Sequence, residues 1–172
     1  LSSGEYYLDG DVTISQTITV SGTVTLDLNG HVLQYKNDST KGSVIKVESG
    51  GHLTIQDSNT GSLSHKFTPN SDGLWILDET SGTEEVNGGV ITGGTGTQWD
   101  QYYRGGGVYI APGGTLTMES GSIVGCSANG NSFSLGGGVY LDSSANSNAG
   151  TFTMDGGRII GCTADGGGGV LV

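Results

Sequence analysis

Short runs of alternating apolar and polar residues recur along the whole chain, separated by glycine-rich turns. Val108-Tyr109-Ile110, Thr115-Leu116-Thr117-Met118 and Ser122-Ile123-Val124 form one such set. A period of two is the pattern of short strands with one apolar face. It predicts Val108, Ile110, Leu116, Met118 and Ile123 pointing inward, with Tyr109, Thr115 and Thr117 pointing outward. No window carries apolar residues at helical spacing over three turns, so an all-β chain with almost no helix is expected.

The strands repeat in a fixed order. Gly105-Gly106-Gly107-Val108-Tyr109-Ile110 returns as Gly136-Gly137-Gly138-Val139-Tyr140-Leu141 and begins again at Gly167-Gly168-Gly169-Val170-Leu171-Val172. Val108, Val139 and Val170 are spaced 31 residues apart both times, while Leu116 and its counterpart Phe152 are 36 apart. Strand cores keep step and turns absorb the difference, as in a solenoid whose coils stack on one another. Residues 45–55 align without a gap on residues 108–118. Leu74-Trp75-Ile76 with Val86-Asn87-Gly88-Gly89-Val90-Ile91 reads as a further coil, and Ile18-Thr19-Val20, Val24-Thr25-Leu26 and Val32-Leu33 as an earlier one. Tyr6-Tyr7-Leu8 and Val12-Thr13-Ile14 read as a partial first coil. The expectation is a single domain over residues 1–172, a single-stranded parallel β-solenoid of about five coils plus a partial coil at each end. A solenoid exposes unpaired backbone at its ends. The sequence stops mid-strand on Val170-Leu171-Val172, which predicts either a piece of a longer protein or end-to-end pairing through the C-terminal coil.

Several units also carry a family resemblance: Thr25-Leu26-Asp27-Leu28-Asn29-Gly30-His31, Gly50-Gly51-His52-Leu53-Thr54-Ile55, the Gly-Gly-Gly-Val-Tyr units, and Gly156-Gly157-Arg158-Ile159-Ile160-Gly161-Cys162-Thr163-Ala164. They resemble bacterial cell-surface proteins with right-handed parallel β-helix repeats, within the pectate-lyase-like superfamily. The resemblance spans nearly the whole chain. It implies a right-handed coil and an extracellular location, secreted or anchored in a large surface protein. It does not imply an activity, because function lives in sites and not in folds.

Composition narrows the function. The net charge is -11 with only six Lys plus Arg, which argues against nucleic acid and against gripping an anionic polysaccharide directly. No run of 18 apolar residues is present, so no membrane-spanning helix is expected. The hydrolase motifs of β-helix enzymes are absent: Asn29-Gly30-His31 is not Gly-His-Gly, and Arg158-Ile159-Ile160 lacks a lysine. Arg104 and Arg158 have no aligned Asp-Asp partner. Glu84-Glu85 is an adjacent acid pair, but neighbours on a strand face opposite ways, whereas glycoside hydrolysis needs two acids on one cleft. A non-catalytic module is expected, with a carbohydrate-active enzyme as the alternative. No cofactor is expected. His31, His52 and His65 have no zinc spacing, and the glycine-aspartate repeat of calcium β-rolls is missing, so no metal is expected either.

Three features remain. Cys126 and Cys162 take equivalent places in adjacent coils, about 4.8 Å apart by strand spacing. That is within disulfide reach, but parallel Cβ vectors favour two stacked thiols over a bridge. Outward threonines (Thr115 with Thr151, Thr117 with Thr153, and Thr54) form a column pair interrupted by His52 and Glu85. Ice-binding solenoids use regular threonine arrays, but β-propensity explains these better. The third feature is aromatic. Lys46, Trp75, Tyr109, Tyr140 and Leu171 are expected to share one outward column, with Trp99, Tyr102, Tyr103 and Arg104 in the loop that precedes Tyr109. Exposed, such a strip suits a glycan or another host-surface ligand. Covered by the loop, it is a ladder that stabilises the sheet.

Overall fold

The computed structural model describes residues 1–129, 133–143 and 148–172. All regular structure among them is β, and no helix is long and apolar enough to cross a membrane. The chain makes five passes through three parallel sheets, always in the same order. The first pass is β1 (Gly4–Tyr7), β2 (Val12–Ile14) and β3 (Ile18–Val20). The second is β4 (Thr23–Asp27), β5 (Val32–Tyr35) and β6 (Ile45–Val47). The third opens with β7 (His52–Gln56) and then departs into an insertion, β8 (Ser64–Pro69), β9 (Trp75–Leu77) and β10 (Glu84–Asn87). It resumes with β11 (Val90–Thr92), throws out a hairpin of β12 (Thr97–Trp99) and β13 (Tyr102–Arg104), and closes with β14 (Val108–Ile110). The fourth is β15 (Thr115–Met118), β16 (Ser122–Val124), β17 (Phe133–Leu135) and β18 (Val139–Leu141). The fifth is β19 (Thr151–Met154), β20 (Arg158–Ile160) and β21 (Val170–Leu171).

The three main sheets run β1-β4-β7-β15-β19, β2-β5-β11-β16-β20 and β3-β6-β14-β18-β21. Every pairing within them is parallel. This arrangement is compatible with a β-solenoid. The expected register holds, since Val108 pairs with Val139 and Val139 with Val170. Aliphatic columns follow from it. Leu33, Ile91 and Ile123 stack in one sheet, and Val24, Leu53 and Leu116 in another. Val108, Ile110, Leu116, Met118 and Ile123 are all buried, as their inward assignment requires. Each fully buried aliphatic side chain contributes about 1.5–3 kcal/mol, so the column is the main source of stability.

Glycine triplets form the corner before the third sheet. Gly105, Gly136 and Gly167 have φ of 59°, 63° and 60°, a region that costs other residues energy. A Cβ on Gly106 would fall inside contact distance of the carbonyl oxygens of Ser127 and Gly137. The triplets therefore stack backbone on backbone, with Gly107 N donating to Gly137 O and Gly138 N to Gly168 O.

Two expectations need correction. Leu74-Trp75-Ile76 and Val86-Asn87 do not form a coil. They lie in an antiparallel sheet, β10-β8-β9, inserted between β7 and β11. A period of two is the same in parallel and antiparallel strands, so the pattern could not separate them. Counted from Ile18, the chain therefore has one coil fewer than expected, and its five passes come from the strands flanking that count. The insertion is pinned by Trp75, whose N donates to Gly161 O at 3.0 Å and whose side chain packs near Phe67 with ring centroids 6.3 Å apart.

Candidate functional site

The hairpin β12–β13 turns through Asp100 and Gln101, with Asp100 at φ 56°. Two-residue hairpin turns need positive φ, which aspartate tolerates better than most residues. β13 then pairs in parallel with β17 of the next pass, which makes a three-stranded sheet β12-β13-β17. Cross-strand partners share a face. Trp99, Tyr102 and Phe133 consequently stand in one row, and Thr97, Arg104 and Leu135 in the next row on that face. Trp99 is 55% exposed and Phe133 46%, with Tyr102 half-buried. At a strand spacing of about 4.8 Å, the row is roughly 10 Å across. Tyr103 occupies the opposite face, where Lys41 Nζ lies 4.7 Å from its ring centroid. Lys41 also donates to Asn129 O.

Beneath the hairpin lies the tyrosine pair. Tyr109 and Tyr140 are register partners whose rings stack at 5.8 Å and 16°. They are not an exposed strip: Tyr109 is 6% and Tyr140 8% exposed. The Arg104 guanidinium covers them, 5.2 Å from the Tyr140 centroid and 4.3 Å from the Trp99 centroid. Leu135 and Leu171 pack against the same pair. The Tyr109 hydroxyl donates to Asp142 Oδ2 at 2.6 Å. Burial, then this bond to a carboxylate, pushes the Tyr109 hydroxyl well above its ordinary pKa. Burial pushes Tyr140 up as well. Neither tyrosine is poised to act as a base at neutral pH.

The column also differs in membership from its expectation. Lys46, Tyr109, Tyr140 and Leu171 are in register, and Thr19 extends the column. Trp75 is not part of it, because it belongs to the antiparallel insertion. The structure thus gathers Trp99, Tyr102, Arg104, Tyr109 and Tyr140 on one side, sets Tyr103 on the reverse of the hairpin, and leaves Trp75 elsewhere. Phe133 follows Tyr102 by 31 residues, the spacing of Val108 and Val139, and lies in the alternating run Phe133-Ser134-Leu135, so the repeat itself carried the signal that pairs the two rings.

The remaining candidates resolve as follows. Cys126 and Cys162 are free thiols, the first buried and the second partly so. Burial pushes the Cys126 thiol up, so it stays protonated and inert. The histidines lie apart. His31 is 3.4 Å from Asp11, His52 is exposed opposite Thr115, and His65 bridges Glu79 Oε1 and Gly30 O at 2.8 Å each. Glu85 pairs with Lys66 on β10, so it does not interrupt the threonine face; only His52 does. That face also bears an open groove of about 680 Å³, lined by Glu5, Tyr7, Asp27, Gln56 and Glu119 among others. At Asp27, burial opposes ionisation. Bonds from Ser58, Asn29 and Gln56 outweigh it and hold the carboxyl below its ordinary value. A smaller cleft of about 330 Å³ has Asp72 and Asp165 in its wall.

No family model matches the sequence, and no curated protein or solved structure compared with it matches significantly.

Proposed function

We propose that this chain is a non-catalytic module of a secreted or surface-anchored bacterial protein, built as a right-handed single-stranded parallel β-helix and presenting a glycan-binding face. The reading rests on the exposed row Trp99, Tyr102 and Phe133, held over a closed tyrosine pair. Flat aromatic surface with a polar edge suits the apolar faces and hydroxyls of sugar rings, and contiguous exposed aromatics mark binding sites more often than not. The row is well supported from below, since Arg104, Tyr140 and Leu135 fill the space beneath it. A rigid aromatic platform loses little entropy on binding. Glycan-array screening of the chain should return binders whose affinity falls at least about tenfold in Trp99→Ala and Phe133→Ala, with unchanged melting temperatures. Binding that survives both substitutions would move the site off this row.

The alternative, a carbohydrate-active enzyme, draws on Asp72 and Asp165 in one cleft. Asp165 Oδ2 already accepts bonds from Ser134 N and Oγ at 2.9 and 2.8 Å, which suits an anchor better than an acid catalyst. Polysaccharide turnover abolished by Asp165→Asn would favour this alternative.

A further inference from the structure

We infer that the sugar held by the aromatic row carries a carboxylate, and that Arg104 is the residue that reads it; this rests on the glycan reading above. Arg104 is 8% exposed, yet its Nε and Nη1 are buried without a hydrogen-bond partner. Buried guanidinium donors without acceptors are costly, and a native structure that keeps them has a use for them. The nearest acid is Asp142, whose Oδ2 lies 3.6 Å from Nη1. That distance makes an ion pair but not a hydrogen bond. The same oxygen accepts the Tyr109 hydroxyl, which ties the Asp142 charge to the ladder beneath.

Arginine's planar fork matches a carboxylate with two parallel hydrogen bonds, and no other side chain offers that geometry. Here the plane of the fork is set by rings. Trp99 stacks on one region of the guanidinium at 4.3 Å, with Tyr140 at 5.2 Å and Tyr102 at 6.0 Å. Trp99 is the exposed member and the one on the hairpin's free end, so it lies at the mouth of the site. The sugar ring rests on Trp99, Tyr102 and Phe133 while its carboxylate meets Nε and Nη1.

Charge placement supports the same ligand. The chain has six Lys plus Arg against 17 acids. Three of those six, Lys41, Lys46 and Arg104, lie over aromatic rings of the hairpin and the tyrosine column. Lys46 is partly neutralised by Glu48 at 2.9 Å. Lys41 lies with Tyr103 on the reverse of the hairpin, so Arg104 is the cation that stands among the rings of the row itself. The sugar acid could be a hexuronate or a nonulosonate; both present a ring-borne carboxylate.

The test uses the whole chain and four oligosaccharide probes in calorimetry: one ending in glucuronic acid, one ending in N-acetylneuraminic acid, and the carboxyl-reduced form of each. At least one acid probe should bind about tenfold or more tighter than its reduced form, the gain expected of a charge-assisted bidentate pair. The tighter acid identifies the source. Arg104→Lys keeps the charge but loses the fork, and should bring the ratio of acid to reduced-probe affinity toward one, whatever it does to the affinity of either probe alone. Should that variant fail to fold, the wild-type ratio decides alone. Equal binding of acid and reduced probes overturns the carboxylate inference and leaves the glycan reading standing. No binding of any probe overturns both.

Discussion

In the stacked strands, Ile91 lies beside Ile123 and Ile123 beside Ile159, and the same neighbours recur in every pass. In the inserted strands nothing recurs. Trp75 meets Gly161, His65 meets Glu79, and Arg104 meets Trp99, each contact made once. The stack draws stability from sameness, because an identical column buries an identical surface at each level. The insertions are held by contacts of their own, such as the cluster of Phe67 and Val86 against Val90 and Val124, and the exposed Trp99 lies in one of them. The repeated packing and the exposed aromatic surface thus fall in different parts of one chain.

Three substitutions separate the two regions, in descending effect. Ile123→Ala removes a fully buried member of the stack and should cost about 2–5 kcal/mol, since its neighbours above and below cannot collapse into the gap. Chemical denaturation measures it, and a loss below 1 kcal/mol would mean that the column is loosely packed. Trp75→Ala keeps the backbone bond to Gly161 but removes the ring that packs near Phe67, and should cost less, about 1–3 kcal/mol. The loss should be local: amides of β8–β10 lose protection from hydrogen exchange while β11 and β16 keep theirs. Simultaneous loss in all five strands would make insertion and stack one cooperative unit.

The smallest effect concerns acid. Bonds that favour the ionised Asp27 carboxyl lower its pKa in the folded chain. Its contribution is therefore present above the unfolded value of about 4 and is lost as pH falls. Asp27→Asn should melt below wild type at pH 7, with the gap narrowing as pH falls below about 4 and through the lowered folded value. A constant gap across that range would assign the effect to packing and not to charge.

The same division explains how far the sequence could be read. The strands containing Val108, Val139 and Val170 were legible because a repeat states its own register: equal residues at equal spacing must lie at equal heights. Inward residues followed from alternation alone. The insertion was misread because Trp75-Ile76-Leu77 alternates like its neighbours, and alternation is silent on whether the partner strand runs parallel. The aromatic column was open to two readings, an exposed strip or a ladder covered by the loop, and for Tyr109 and Tyr140 the covered one holds. Their outward direction was right, but a hairpin contributed by the preceding residues folds back over them. Phe133 was legible by the same rule, since it follows Tyr102 by the 31 residues that separate Val108 from Val139.

The glycine corner has a consequence for how such a chain can change. Between Gly94 and Gly105 the backbone leaves the stack and returns to it through a junction made only of main chain, where φ and spacing are fixed. Whatever is spliced between those two points meets the same socket on its return. The tip of the hairpin, from Gln98 to Gln101, could be exchanged or lengthened while Arg104 keeps its place over the tyrosine pair, so new surface comes by cassette and not by rebuilding the scaffold.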